Sequence, residues 1–220
     1  MAYIDFVSRV HTSTTRDYLQ RVIDNDKAAC AEAAIQFGKE YWDGDRKNGY
    51  GGYRYDGRWR PVAEGIVEHY RLPDDARILD VGCGKGFLLY EFTEVLPQAE
   101  VTGIDISEYA IANAKEEVQP LLQLGNANHL PYADNSFDFV VSITTLHNLY
   151  VYDLWQALRE IQRVAKREAY VVVEAYRNER EKVNLMYWQL TCRSFYTPSE
   201  WEWTFQQTGY TGDHSLIYFE

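Results

Sequence analysis

From Arg77 to the C-terminus, short apolar runs alternate with stretches of helical periodicity. The runs Ile78–Val81, Val101–Ile106, Leu121–Leu124, Phe137–Ile143 and Ala169–Ala175 are almost continuously apolar. Such runs suit strands buried on both faces of a parallel sheet. Between them the spacing predicts helices over Phe87–Leu96, Ser107–Val118 and Asp153–Val164, with Ser107 and Asp153 as N-caps. A last helix is expected to start at Pro198, and a terminal strand to cover Ser215–Phe219. The alternation predicts an α/β, doubly wound Rossmann-like fold with a mostly parallel sheet.

Upstream the pattern changes. Thr14 or Thr15 is positioned to cap a helix from Arg16, with Tyr18, Leu19, Val22 and Ile23 on one apolar face. An alanine-rich continuation runs from Ala28 to Phe37, where Gly38 interrupts it. Residues 41–59 then mix glycines, which deny regular structure, with aromatics, which deny simple disorder. Pro61 suits the first turn of a helix that faces Val62, Ile66, Val67 and Tyr70 inward. The expected organisation is an N-terminal helical extension with a glycine/aromatic lid over residues 1–60, and a Rossmann-like domain over 61–220.

Charge narrows the partners. The chain carries 22 basic and 33 acidic residues, a formal net charge of −11. A surface this acidic repels phosphate backbones and anionic membranes, so neither nucleic acid nor membrane is expected as a partner. Cys30, Cys83 and Cys192 form no CxxC pair, which argues against a disulfide framework and a thiolate metal site. No basic-then-apolar leader is evident at the N-terminus, and a cytoplasmic location is expected. Oligomeric state is left open.

The candidate chemistry begins at Ile78-Leu79-Asp80-Val81-Gly82-Cys83-Gly84-Lys85-Gly86. Glycines after a strand allow a tight turn and close approach of a ligand to the backbone. Dinucleotide sites favour G-x-G-x-x-G; here the spacing is G-x-G-x-G, with Asp80 two positions before the first glycine. That carboxylate would repel a pyrophosphate but can support the ammonium of an amino-acid-bearing ligand. Asp105 ends the second predicted strand, where it can accept hydrogen bonds from both ribose hydroxyls or serve as a capping carboxylate. Ile106 follows and is placed to pack on an adenine face.

The third block, Gly125-Asn126-Ala127-Asn128-His129-Leu130-Pro131-Tyr132-Ala133-Asp134-Asn135-Ser136-Phe137-Asp138, leads into a strand and then Leu146-His147-Asn148-Leu149. In this order the blocks resemble the class I S-adenosylmethionine-dependent methyltransferases, in the subgroup with small-molecule acceptors, over about Arg77 to Glu174. The resemblance implies S-adenosylmethionine as cofactor. It sets Gly82, Gly84 and Gly86 beside the methionine portion, Asp80 near its amino group, Asp105 on the ribose and Ile106 on the adenine. Asn126 and Ala127 stand where the family has a D-A pair at the adenine edge; Asn126 departs from it, although an amide oxygen can still accept from an exocyclic amine. Ser142 would close the fourth strand near the methionine part.

Methyl transfer needs alignment of acceptor, methyl and sulfur, exclusion of water and, for some acceptors, removal of a proton. His147, directly after the fourth strand, is the candidate base, with a hydrogen-bonded structural histidine as the alternative. Tyr50, Tyr53, Arg54, Tyr55, Arg58 and Trp59 are candidates for a lid over cofactor or acceptor, with Arg54 and Arg58 able to pair with a ligand carboxylate. The alternative is an aromatic loop packed on the N-terminal helices. No spacing suggests a metal site. The expected activity is methyl transfer to an O, N or C atom of a small molecule; a non-catalytic S-adenosylmethionine-binding regulatory or scaffold subunit is the competing function. A nicotinamide-dependent oxidoreductase fails on the loop spacing.

Overall fold

The structure is a computed structural model that describes residues 1–12 and 16–220. The proposed caps Thr14 and Thr15 lie outside the described residues. In chain order the elements are α1 (Ser8–Thr12), α2 (Tyr18–Ile23), α3 (Lys27–Ala34), α4 (Lys39–Trp42), α5 (Arg60–Tyr70), β1 (Arg77–Val81), α6 (Phe87–Val95), β2 (Glu100–Asp105) and α7 (Glu108–Ala112). They continue through β3 (Leu122–Leu124), β4 (Phe137–Ile143), α8 (Val151–Val164), β5 (Ala165–Glu174), α9 (Glu179–Trp188), α10 (Pro198–Thr208) and β6 (Asp213–Ile217).

The strands form one sheet in the order β3-β2-β1-β4-β5-β6, and every neighbouring pair is parallel. This is the doubly wound α/β arrangement expected from the alternation. Strand residues alternate between two cores. Ile78, Phe139, Val141, Tyr170 and Val172 pack with Val62 and Ile66 of α5, Phe92 of α6 and Leu185 of α9. Leu79, Val81, Val140, Val171 and Val173 pack on the other face with Leu154, Leu158 and Ile161 of α8 and Trp201 and Phe205 of α10. The strand order reverses between β1 and β4, so the crevice of the fold opens at their C-terminal ends.

Several boundaries differ from expectation for identifiable reasons. Asp17 caps α2 by accepting from Gln20 N, and Asp26 caps α3 by accepting from Ala28 N and Ala29 N, so the upstream helix is two short ones. Leu19 and Ile23 are 56% and 63% exposed, so the face they share is not a core face. The helix expected over Ser107–Val118 does begin at the Ser107 cap but ends at Ala112. There the Lys115 amide donates to Lys85 O, and the Lys115 ammonium lies 3.8 Å from the Tyr90 ring centroid, so tertiary contacts unwind the rest. Asp153 is not an N-cap: α8 starts at Val151, and Asp153 Oδ1 accepts from Asn128 Nδ2 at 2.6 Å. The strand expected to be terminal runs Asp213–Ile217.

The N-terminal segment lies against this core. Ile4 N donates to His214 O, and His214 N to Ala2 O, which extends the β6 edge. Val7 joins the core of α5 and α6, and α2 packs on α9.

Candidate active site

After β1 the chain turns through Gly82, Gly84 and Gly86, all at positive φ (82°, 54° and 70°). A side chain at Gly82 would collide with Thr145, from the turn after β4, and a Cβ at Gly84 would sit 2.7 Å from the Trp42 ring. The loop is tied to β2, for Gly82 N donates to Ile104 O at 2.8 Å and Gly84 N to Asp105 Oδ2 at 2.7 Å. Gly86 caps α6 and reaches neither of the cavities described below.

Asp80 is 4% exposed, and its carboxyl accepts no hydrogen bond from any described residue. Burial first, and then the Asp105 charge, push it up to about 8. Asp105 is 8% exposed and accepts from the amides of Gly84 and Ser107 (2.8 Å), while burial raises its pKa. Each of its oxygens keeps acceptor capacity beyond the amide it receives. Ser142, fully buried, donates to Val81 O and lines neither cavity.

Two cavities meet at the open end of the sheet. The larger, about 480 Å³, is lined by Asp80, Gly82, Gly84, His147 and Glu174 from the sheet side. Tyr50, Tyr53, Arg54, Arg58 and Trp59 line it from the N-terminal segment. The smaller, about 120 Å³, is lined by Asp105, Ile106, Asn126 and Ala127, and by Gly82, which lines both. Trp42 and Tyr50 also line both; their rings stack with centroids 5.2 Å apart and planes 9° apart. Asn126 Oδ1 accepts from Asn128 N at 3.2 Å within its own turn.

The structure does not bring all six candidate lid residues together. Tyr55 lines neither cavity; its hydroxyl donates to Glu91 Oε1 at 2.7 Å and its ring packs on Phe87 and Tyr90. Arg58 pairs with Asp56. Lys85, from the glycine loop, forms an ion pair of 2.7 Å with Asp43 and donates to Tyr53 O at 3.0 Å, which fastens the 41–59 segment over the loop.

His147 is 2% exposed, and its Nε2 lies 3.4 Å from Oε2 of Glu174, itself 4% exposed at the end of β5. Glu174 Oε1 accepts from Gln189 Nε2. Burial lowers His147 to about 3 and raises Glu174 to about 8, so near neutral pH the imidazole is uncharged and the carboxyl largely protonated. Glu174 Oε2, the oxygen nearest the imidazole, is buried without a hydrogen-bond partner among the described residues. His147 Nδ1 is buried without a hydrogen-bond partner among the described residues.

Glu174 escaped the sequence reading, although it bears the signal that marked Asp80 and Asp105: an acid closing an apolar strand, here Val171-Val172-Val173-Glu174. Tyr41, Trp42 and Arg46, from the glycine/aromatic segment, and Trp188 also line the larger cavity, as do Arg16 and Arg21, which no local pattern marked.

With this geometry in place, comparison with known proteins is informative. A family described as a methyltransferase domain matches residues 72–209. The demethylmenaquinone methyltransferase of Listeria welshimeri is 34% identical over 129 residues, which is 56% of this chain and 52% of the relative. That of Symbiobacterium thermophilum is 36% identical over 118 residues, 50% of this chain and 46% of the relative. The chain thus matches about half the length of these curated relatives. Among solved structures, the YcgJ protein of Bacillus subtilis has a TM-score of 0.55 at 24% identity, covering 66% of each chain. A chain from the complex of a Haloferax volcanii methyltransferase activator with a methyltransferase has a TM-score of 0.57 at 21% identity, covering 89% of this chain and 77% of that one. Those two likenesses show the fold. Glycine loop, strand-end acids, sheet order and family match agree, and the chain belongs to the class I S-adenosylmethionine-dependent methyltransferases.

Proposed function

We propose that the chain methylates an O, N or C atom of a small-molecule acceptor, with residues 1–60 closing the site over a catalytic core of 61–220. The observation that carries this reading is the cavity of about 480 Å³, bounded on one side by the glycine loop and on the other by the 41–59 segment. Its volume lies in the range of small-ligand sites, and aromatic walls exclude water from a compact organic molecule. The curated relatives named for demethylmenaquinone are consistent with a non-macromolecular acceptor.

The residues present fit the cofactor. S-adenosylmethionine supplies an electrophilic methyl group on a sulfonium. The buried carboxyl of Asp80, with no hydrogen-bond donor of its own, suits the ammonium of the methionine part. Asp105 offers its remaining acceptor capacity to ribose hydroxyls, and Ile106, 56% exposed beside the smaller cavity, offers an apolar face to the adenine. Gly82 and Gly84 keep the backbone accessible, Asn126 and Ala127 border the adenine edge, and Gly86 and Ser142 support the loop and β4 behind them. The His147–Glu174 pair, with its carboxyl ionised, accepts the proton that an acceptor hydroxyl or amine gives up. Tyr50, Tyr53, Arg54, Arg58 and Trp59 form the lid, with Arg58 held within it by Asp56, and Tyr55 braces it from outside through Glu91.

Incubation of the protein with methyl-labelled S-adenosylmethionine and a fractionated cell extract tests this. Label is expected in the low-molecular-mass fraction, with turnover rising through about pH 8 as the pair deprotonates. Glu174→Gln is expected to slow the reaction about a hundredfold and to flatten that rise. Label confined to macromolecules would refute the small-molecule assignment, and an unchanged pH profile would remove the pair as proton acceptor.

A further inference from the structure

The larger cavity is lined by five arginines, Arg16, Arg21, Arg46, Arg54 and Arg58, against two carboxyls, Asp80 and Glu174. Burial holds both carboxyls largely protonated near neutral pH. A chain of net charge −11 therefore encloses a cavity of excess positive charge. Like charges gathered in one place repel, and such an arrangement persists where an anion completes it.

The arginines are not equivalent. Arg58 is spent on Asp56. Arg16, Arg21 and Arg46 converge on one indole, with guanidinium carbons 5.2, 4.7 and 5.2 Å from the Trp188 ring centroid, and Arg16 also donates to His11 O at 3.1 Å. Although the chain has 33 acidic residues, neither Arg21 nor Arg46 forms an ion pair with a carboxylate among the described residues. Arg21 is held by backbone oxygens of Trp188, Arg46 and Lys47. Among the described residues the Arg46 guanidinium gives one hydrogen bond, to Gly49 O at 2.6 Å, and a guanidinium has five N–H donors to place. Repulsion between them is visible in Arg21, whose pKa is lowered by burial and then by the Arg46 charge.

We infer that Arg16, Arg21, Arg46 and Trp188 form a subsite for an anionic group, a carboxylate or a phosphate, carried by the methyl acceptor. The acceptor role rests on the methyl-transfer reading; the anion subsite itself does not. The same cavity holds Asp80 and the His147–Glu174 pair, so an acidic metabolite anchored at Trp188 extends toward the site of methyl transfer. The planar forks suit bidentate binding of either oxyanion, and the indole keeps the guanidinium planes oriented.

Calorimetric titration with sodium citrate and with inorganic pyrophosphate, each with and without S-adenosylhomocysteine, tests the subsite and separates carboxylate from phosphate preference. At low salt at least one anion is expected to bind with a Kd of about 1 mM or tighter. Arg46→Gln is expected to weaken that binding about tenfold, and Arg46→Lys by less, because it keeps the charge and loses the fork. Arg167→Gln, on the exposed part of β5, leaves binding unchanged, and all variants keep S-adenosylhomocysteine affinity within about twofold. Absence of binding for both anions at ~10 mM, or equal binding by wild type and Arg46→Gln, overturns the subsite. Failure of S-adenosylhomocysteine to bind while the anions do would instead strike the methyltransferase assignment.

Discussion

With Asp80 holding the ligand ammonium as proposed, Asp80→Asn should abolish a pH dependence of S-adenosylhomocysteine binding. Without ligand the carboxyl is pushed up to about 8 by burial and by Asp105. An ammonium stabilises only the ionised form, so binding must first remove the proton. With a pKa of about 8, roughly a tenth of the protein is ionised at Asp80 at neutral pH, and about a hundredth one pH unit lower. The Kd for S-adenosylhomocysteine should therefore rise about fiftyfold between pH 8 and pH 6, a change of roughly 2.3 kcal/mol. Calorimetry in two buffers of different ionisation enthalpy should show nearly one proton released per ligand at about pH 7. Asp80→Asn should bind about 10- to 100-fold more weakly than wild type at about pH 8, through loss of a charge-assisted bond. Near pH 6 the two proteins should converge, with little proton release by the variant. The same shift makes Asp80 a stability liability in the free protein. Its folded pKa lies above the unfolded value of 3.8, so the contribution is complete below about pH 4 and is lost as pH rises through about 8. The variant should accordingly melt higher than wild type at about pH 8. A Kd constant within about threefold from pH 6 to pH 8, with no proton released, would refute the reasoning.

Two further outcomes follow from the 41–59 segment and the glycine loop. Lys85→Met removes the buried ammonium from Asp43 and Tyr53 O, and is expected to destabilise the fold by about 2 kcal/mol; faster proteolysis within residues 41–59 is the readout, and unchanged cleavage would refute the fastening role. Gly82→Ala forces a side chain into a left-handed position against Thr145, so a loss of about 2 kcal/mol in chemical denaturation and at least tenfold weaker S-adenosylhomocysteine binding are expected; wild-type stability and affinity would refute the packing argument.

Much of the cavity wall formed by the glycine loop and the strand-end acids was legible because its signals are local. An acid closing an apolar strand and a glycine-spaced turn are short-range features, and Asp80, Gly82, Gly84 and Asp105 all border the crevice between β1 and β4 or the loop above it. Helix lengths were less legible. Periodicity carried α7 to Val118, whereas contacts of Lys115 with Lys85 and Tyr90 end it at Ala112. Asp153 carried a capping signal, yet its oxygen is engaged by Asn128 of a distant loop. In both cases a tertiary partner outweighs a propensity worth only tenths of a kcal/mol to about 1 kcal/mol.

By itself, then, the sequence determined the α/β alternation, the glycine loop and the acids that end its strands, because backbone conformation and strand burial depend on neighbours a few residues away. Only the tertiary structure decided what stands opposite them. Arg21 and Trp188 meet across 167 residues of chain, and His147 finds Glu174 only because β4 and β5 lie side by side. Cavity walls, paired buried charges and a positive enclosure in an acidic protein are products of that folding, since they depend on which distant side chains are desolvated together.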